Sequence, residues 1–70
     1  MYAKYSVHTP FVGIENFDGK ASLLSIPVGS LLTVTGAIDS VGMIEIELDG
    51  SKMRCFLLDI EQRATRLDSV

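Results

Sequence analysis

Tryptophan is absent, and histidine and cysteine occur once each, as His8 and Cys55. So few nucleophiles and soft ligands leave little from which to assemble a catalytic centre or a metal site. A single cysteine cannot close an internal disulfide, and a lone thiol fits a reducing compartment, so a cytoplasmic protein is expected. Proline is confined to Pro10 and Pro27, and no apolar run approaches the roughly 18 residues a membrane helix needs. Met1 to Val7 holds no basic cluster ahead of an apolar segment, which does not fit a secretion signal. Charge is also sparse, with nine acids against six bases for a net −3. At 47% apolar in 70 residues, the chain carries too much to bury and too little charge to stay disordered. A length of 70 residues has room for one domain, residues 1–70, with a small core.

What is present favours strands. Val, Ile, Thr, Tyr and Phe are spread between six glycines and the two prolines. From Tyr2 to Thr9, Ala3, Tyr5 and Val7 share one face, while Tyr2, Lys4, Ser6 and His8 share the other. That alternation predicts a half-buried strand, ended by Pro10, which has no amide proton to continue a ladder. Between Phe11 and Lys20 the pattern breaks up around Gly13, Asn16 and Asp18-Gly19, predicting a long folded loop with Phe11, Ile14 and Phe17 buried. Ala21 to Ile26 reads as a short strand. Ile26-Pro27-Val28-Gly29 has proline second and glycine fourth, as a type I turn favours. Leu31 to Ala37 predicts the next strand, with Gly36 marking a bulge or a close backbone contact, and Asp39, Ser40 and Gly42 supply a turn.

The clearest signal is a hairpin. Met43 to Leu48 alternates strictly, and alternation resumes over Ser51 to Phe56 after Asp49-Gly50, the pair that prefers a tight primed turn. With those two residues as the loop, Leu48 faces Ser51, Glu47 faces Lys52, Ile46 faces Met53, Glu45 faces Arg54 and Ile44 faces Cys55. Charges then meet opposite charges on one face and apolar side chains meet on the other; a slip of one residue would destroy both matches. After Leu58 the period becomes helical. Asp59 with Gln62 approximates a capping box, Ile60, Ala64 and Leu67 recur on one helical face, and Asp59 with Arg63 forms an i,i+4 charge pair. Thr65 to Val70 has two outcomes, a short closing strand or a solvated tail.

This order of elements resembles a Src-homology-3-like small barrel. The resemblance rests on Ile26-Pro27-Val28-Gly29-Ser30-Leu31-Leu32-Thr33-Val34-Thr35-Gly36, on Gly42 through Leu48, on Asp49-Gly50, and on the segment ending Leu58-Asp59, covering roughly positions 22 to 64. The chain is also similar to small bacterial proteins of this length that run from a proline-glycine turn to an acidic helical turn. The resemblance implies an all-β fold: a small β-barrel of about five strands with one short helical turn near the C-terminus. It implies no activity, because small barrels host many functions. Peptide-binding members grip proline-rich ligands in an aromatic groove that typically includes tryptophan. Here the aromatics are Tyr2, Tyr5, Phe11, Phe17 and Phe56, so that specificity is not expected.

Each candidate chemistry has a plainer structural explanation. Cys55 falls on the apolar side of its hairpin strand, where a thiol packs as a small hydrophobe, and His8 falls on a polar face. Asp39 and Asp49 serve turns, and the glycines fall singly rather than in a phosphate-binding loop. Sm-like rings, which are small barrels, bind RNA, but here Lys4, Lys20, Lys52, Arg54, Arg63 and Arg66 are diluted by nine acids. No enzyme, cofactor or metal is expected. Contact with protein remains the favoured function, either with a partner or by self-association into a homodimer or higher oligomer. The adjacent pairs Leu23-Leu24, Leu31-Leu32 and Leu57-Leu58 would each send one leucine outward from a strand. The expected contact surface is the long loop with Phe11, Ile14 and Phe17, joined by Tyr2 and Tyr5. The alternatives are an Sm-like RNA-binding oligomer and, more distantly, a small-ligand pocket at a subunit interface.

Overall fold

The computed structural model describes residues 3–67, which form one antiparallel sheet of seven strands and one helix. The elements are β1 (Ala3–Val7), β2 (Phe11–Phe17), β3 (Lys20–Ile26), β4 (Leu31–Val34), β5 (Met43–Leu48), β6 (Ser51–Phe56), α1 (Leu57–Arg63) and β7 (Ala64–Leu67). The strand order is β3-β2-β6-β5-β4-β1-β7. The all-β expectation holds, but the count of about five strands does not, and the sheet is not closed, since β3 and β7 end the order without pairing to each other.

Two hairpins share one turn chemistry. At Asp49-Gly50 the φ values are 51° and 80°, the left-handed pair that a type I′ turn demands. The β5–β6 register follows the charge and apolar matches throughout, from Leu48 opposite Ser51 to Met43 opposite Phe56. Asp18-Gly19, at 52° and 76°, makes the same turn between β2 and β3. The expected long loop over 11–20 is therefore β2 plus the start of β3, paired without interruption from Phe17 opposite Lys20 to Phe11 opposite Ile26.

Other boundaries shift for local reasons. The proline-glycine turn spans Pro27 to Ser30, one residue later than expected, with Gly29 at φ 90° in its third position and Ser30 N–H donating to the Pro27 carbonyl at 3.3 Å. Positive φ at that position is what only glycine adopts cheaply. The turn closes on the end of β1, because Gly29 N–H donates to the Val7 carbonyl and Val7 N–H to the Ser30 carbonyl, both at 2.9 Å. β4 ends at Val34, and beyond it Gly36 lies so close to β5 that a Cβ there would stand 3.0 Å from Cβ of Glu45. The helix starts at Leu57, before Asp59, with Phe56 as an N-cap that contributes no side-chain bond. Asp59 instead sits in the first turn and accepts from Arg63 Nε at 3.2 Å, as its spacing implied. Leu67 belongs to β7 rather than to a helical face; of the two outcomes for the tail, Ala64 to Leu67 form a strand.

The core is a single apolar cluster of Val7, Phe11, Ile26, Leu32, Ile44, Ile46, Met53, Cys55, Ile60 and Ala64. Ile26, Ile46 and Ile60 are completely buried, and no polar side chain is buried among the described residues. The core-facing residues of β2 are Phe11 and Gly13, and a Cβ on Gly13 would stand 3.0 Å from Sδ of Met53 and 3.1 Å from Cδ1 of Ile26. Glycine there lets the β2–β3 hairpin lie close against β6, to which β2 pairs at Ile14 opposite Arg54.

Candidate functional site

The expected surface residues do not gather in one place. Phe11 is a core residue at 6% exposure, and Tyr5 is half-buried on β1 against the core. Phe17 stands at the far end of β2 beside the Asp18-Gly19 turn and is 72% exposed, contrary to the burial its spacing suggested. Ile14 is half-buried on the opposite face of β2 from Phe11. Tyr2 lies outside the described residues.

Ile14 does belong to an apolar strip, built from residues outside the expected contact surface, although Leu23 belongs to one of the leucine pairs expected to send a side chain outward. Directly opposite it on β3 is Leu23, 74% exposed. Antiparallel pairing through Ile14 and Arg54 sets Val12 and Phe56 two positions further along, on the same outward face of β2 and β6. Both are exposed. Phe56 in turn faces Met43 across the β5–β6 hairpin. Apolar side chains thus follow one another across four strands from the β3 edge inward, exposed at Leu23, Val12 and Phe56 and half-buried at Ile14 and Met43.

The β3 edge has little protection. Its seven residues, Lys-Ala-Ser-Leu-Leu-Ser-Ile, carry one charge, at the first position, and no proline. The ladder to β2 runs without a bulge, and among the described residues nothing pairs with the other side of β3. Edge strands are usually guarded by charges, prolines, bulges or shortness. The opposite edge, β7, follows that rule: it has four residues and carries Arg66.

The charged groups hold the scaffold. Arg54, which faces Glu45 in register, makes its ion pair with Asp39 of the β4–β5 loop instead. Oδ1 of Asp39 accepts from the Val41 and Met43 amides, each at 2.9 Å. Glu45 accepts from the Thr35 hydroxyl at 3.2 Å. Cys55 is 1% exposed, and burial, reinforced by the charge of Asp59, pushes its thiol up to about 12. It is therefore protonated at neutral pH and a poor nucleophile. His8 follows β1, which does not neighbour the β6 strand of Cys55, and its Nδ1 lies 3.0 Å from the Thr9 hydroxyl. Among the described residues, no three His, Cys, Asp or Glu side chains converge as a metal site would require, and no helix is long and apolar enough to cross a membrane.

No protein-family model matches the chain, and neither a curated protein nor a solved structure does.

Proposed function

We propose that this chain is a small, non-enzymatic interaction module resembling the Src-homology-3-like type, working by protein contact in a reducing, cytoplasmic setting, with self-association as its main mode. The element order supports the resemblance: a first strand, a long excursion occupied by the β2–β3 hairpin, the β4–β5–β6 run with its tight Asp49-Gly50 turn, then a short helix before the last strand. The single observation that carries the function is the unguarded β3 edge with Leu23 exposed beside Ile14. Backbone donors and acceptors along such an edge give affinity to any added strand, and side chains on alternate positions give selectivity.

An RNA-handling ring finds less support. Lys4 lies on β1, Lys20 at the hairpin tip, Lys52 and Arg54 on β6, Arg63 on α1 and Arg66 on β7. Lys52 faces Glu47, while Arg54 and Arg63 pair with Asp39 and Asp59. Phosphate binding needs a concentrated basic surface that this distribution does not provide.

Light scattering from micromolar to millimolar protein tests the reading. The expected mass rises above the monomer's 7.6 kDa with concentration. A Leu23→Lys variant, altered at an exposed position, should stay monomeric while keeping its fold. Monomeric wild type over the whole range would contradict self-association.

A further inference from the structure

We infer that the β3 edge pairs with β3 of a second copy, antiparallel about a two-fold axis that sets Leu23 against its own twin. This deepens, and rests on, the reading of the chain as a self-associating module. An isologous interface requires a patch complementary to itself, and residue i must then meet j as j meets i. Any two-fold centre on β3 obeys that reciprocity, and a centre at Leu23 also sets the exposed leucine on itself. On the outward face Leu23 meets Leu23, and the small residues Ala21 and Ser25 meet each other reciprocally; on the other face Ser22 meets Leu24, and Lys20 meets Ile26.

Charge does not oppose this centre. Lys20 is the one charged residue of β3, and the two copies of it would fall at opposite ends of the paired strands, about 20 Å apart at the usual strand rise. That separation exceeds the screening length of about 8 Å at physiological salt, so repulsion is slight even though each chain carries a net −3. Centring one pair closer to the turn would set Ser22 on Ser22 and Leu23 on Ala21, losing the leucine contact.

The outward face gains the most. Ile14 already stands opposite Leu23 within each chain, so pairing would produce a continuous row across the junction: Ile14, Leu23, the second copy's Leu23 and its Ile14. One chain alone leaves the middle of that row in water. Closure is also built in, because each copy offers one such edge and β7 at the far end is short and carries Arg66. Two copies then complete the assembly rather than start a fibre. A contact limited to one strand pair and its flanking side chains is small, so the dimer forms weakly and reversibly.

Cysteine cross-linking locates the contact. Leu23→Cys places a thiol at the two-fold, where directly opposed residues stand about 4.5–5.5 Å apart at Cα, within the roughly 4.4–6.8 Å that a disulfide spans. Cys55 can remain, since it is buried and protonated. Under mild oxidation Leu23→Cys should become a covalent dimer at concentrations where the wild type self-associates, and Leu67→Cys on β7 should remain monomeric. Circular dichroism of both reduced variants checks that the fold is retained. A wild type that dimerises by light scattering while Leu23→Cys fails to cross-link overturns this contact but leaves self-association standing. Cross-linking at position 67 in preference to 23 overturns it as well, in favour of pairing through β7. A wild type that is monomeric throughout removes both this contact and the functional reading.

Discussion

Arg54 on β6 reaches past Glu45, its cross-strand neighbour, to pair with Asp39 in the loop before β5. Asp39 uses its other oxygen to hold the Val41 and Met43 amides, so one carboxylate ties the β4–β5 loop to both strands of the β5–β6 hairpin. Asp39→Ala should destabilise the domain by about 2 kcal/mol, because two amide bonds to a charged acceptor and an ion partner are lost together. Asp39→Asn keeps the Oδ1 acceptor and should cost about 1 kcal/mol or less. Urea midpoints of the two variants give the comparison. Equal losses would mean that the amide bonds contribute nothing and the charge everything.

The hairpin register can be tested from both of its faces. Ile46 is fully buried opposite Met53, so Ile46→Lys should cost about 4 kcal/mol or more and unfold so small a domain. Glu45→Lys sets like charges against each other on the exposed face and should cost only about 0.2–1 kcal/mol, since Arg54 has Asp39 to hold it. Thermal melts separate these outcomes. A harmless Ile46→Lys would show that the buried face has been assigned to the wrong side.

At Gly13 the constraint is space rather than backbone angle. Ala there would press on Sδ of Met53 and Cδ1 of Ile26, both ends of side chains that can yield a little. The expected loss is about 1 kcal/mol for Gly13→Ala, rising to about 3 kcal/mol for Gly13→Val. Because the crowding is shared with Met53, the Gly13→Ala penalty should shrink in a Met53→Ala background. Strictly additive losses in denaturant melts of the double-mutant cycle would place Gly13 away from Met53.

Much of the fold is legible in the sequence where two signals agree. Over 43–56, strict alternation and Asp49-Gly50 point to the same register, and the structure follows it pair by pair. Over 11–26 an equally good turn, Asp18-Gly19, is obscured because alternation fails on both faces. Gly13 takes a core-facing position with no side chain to show it, Glu15 and the exposed Phe17 share the face of Phe11, and the outer face is itself apolar at Val12, Ile14 and Leu23. A strand whose solvent face is built for contact loses the polar half of the pattern by which strands are recognised. The candidate surface was hard to read for the same reason. Aromaticity points to Phe11 and Tyr5, which the core uses or half-buries, while Leu23 stands out only as one half of a leucine pair. The bond between Asp39 and Arg54 has no local signature at all, since a loop must fold back before the two can meet.

Alkaline pH should weaken the fold through Cys55. Its folded thiol titrates near 12, against 9.0 for an ordinary thiol, so above pH 9 the unfolded chain loses a proton that the folded chain keeps. The stability present below pH 9 is therefore lost as pH rises from 9 towards 12, with a limiting slope of about 1.4 kcal/mol per pH unit for one proton. Cys55→Ala should have lower stability at neutral pH, because it leaves a cavity, but should lack this part of the alkaline slope. Denaturation at a series of pH values compares them. Parallel curves for wild type and Cys55→Ala would show that the thiol is not the group responsible.

The most direct test of the account is residue-resolved amide hydrogen exchange followed as a function of protein concentration. Those amides of residues 20–26 that point away from β2 should exchange readily in dilute solution and become protected as concentration rises, while β7 and the β5–β6 hairpin keep the same rates throughout. Exchange along β3 that is already slow in dilute solution, or that never changes with concentration, would contradict a free edge that a second copy fills.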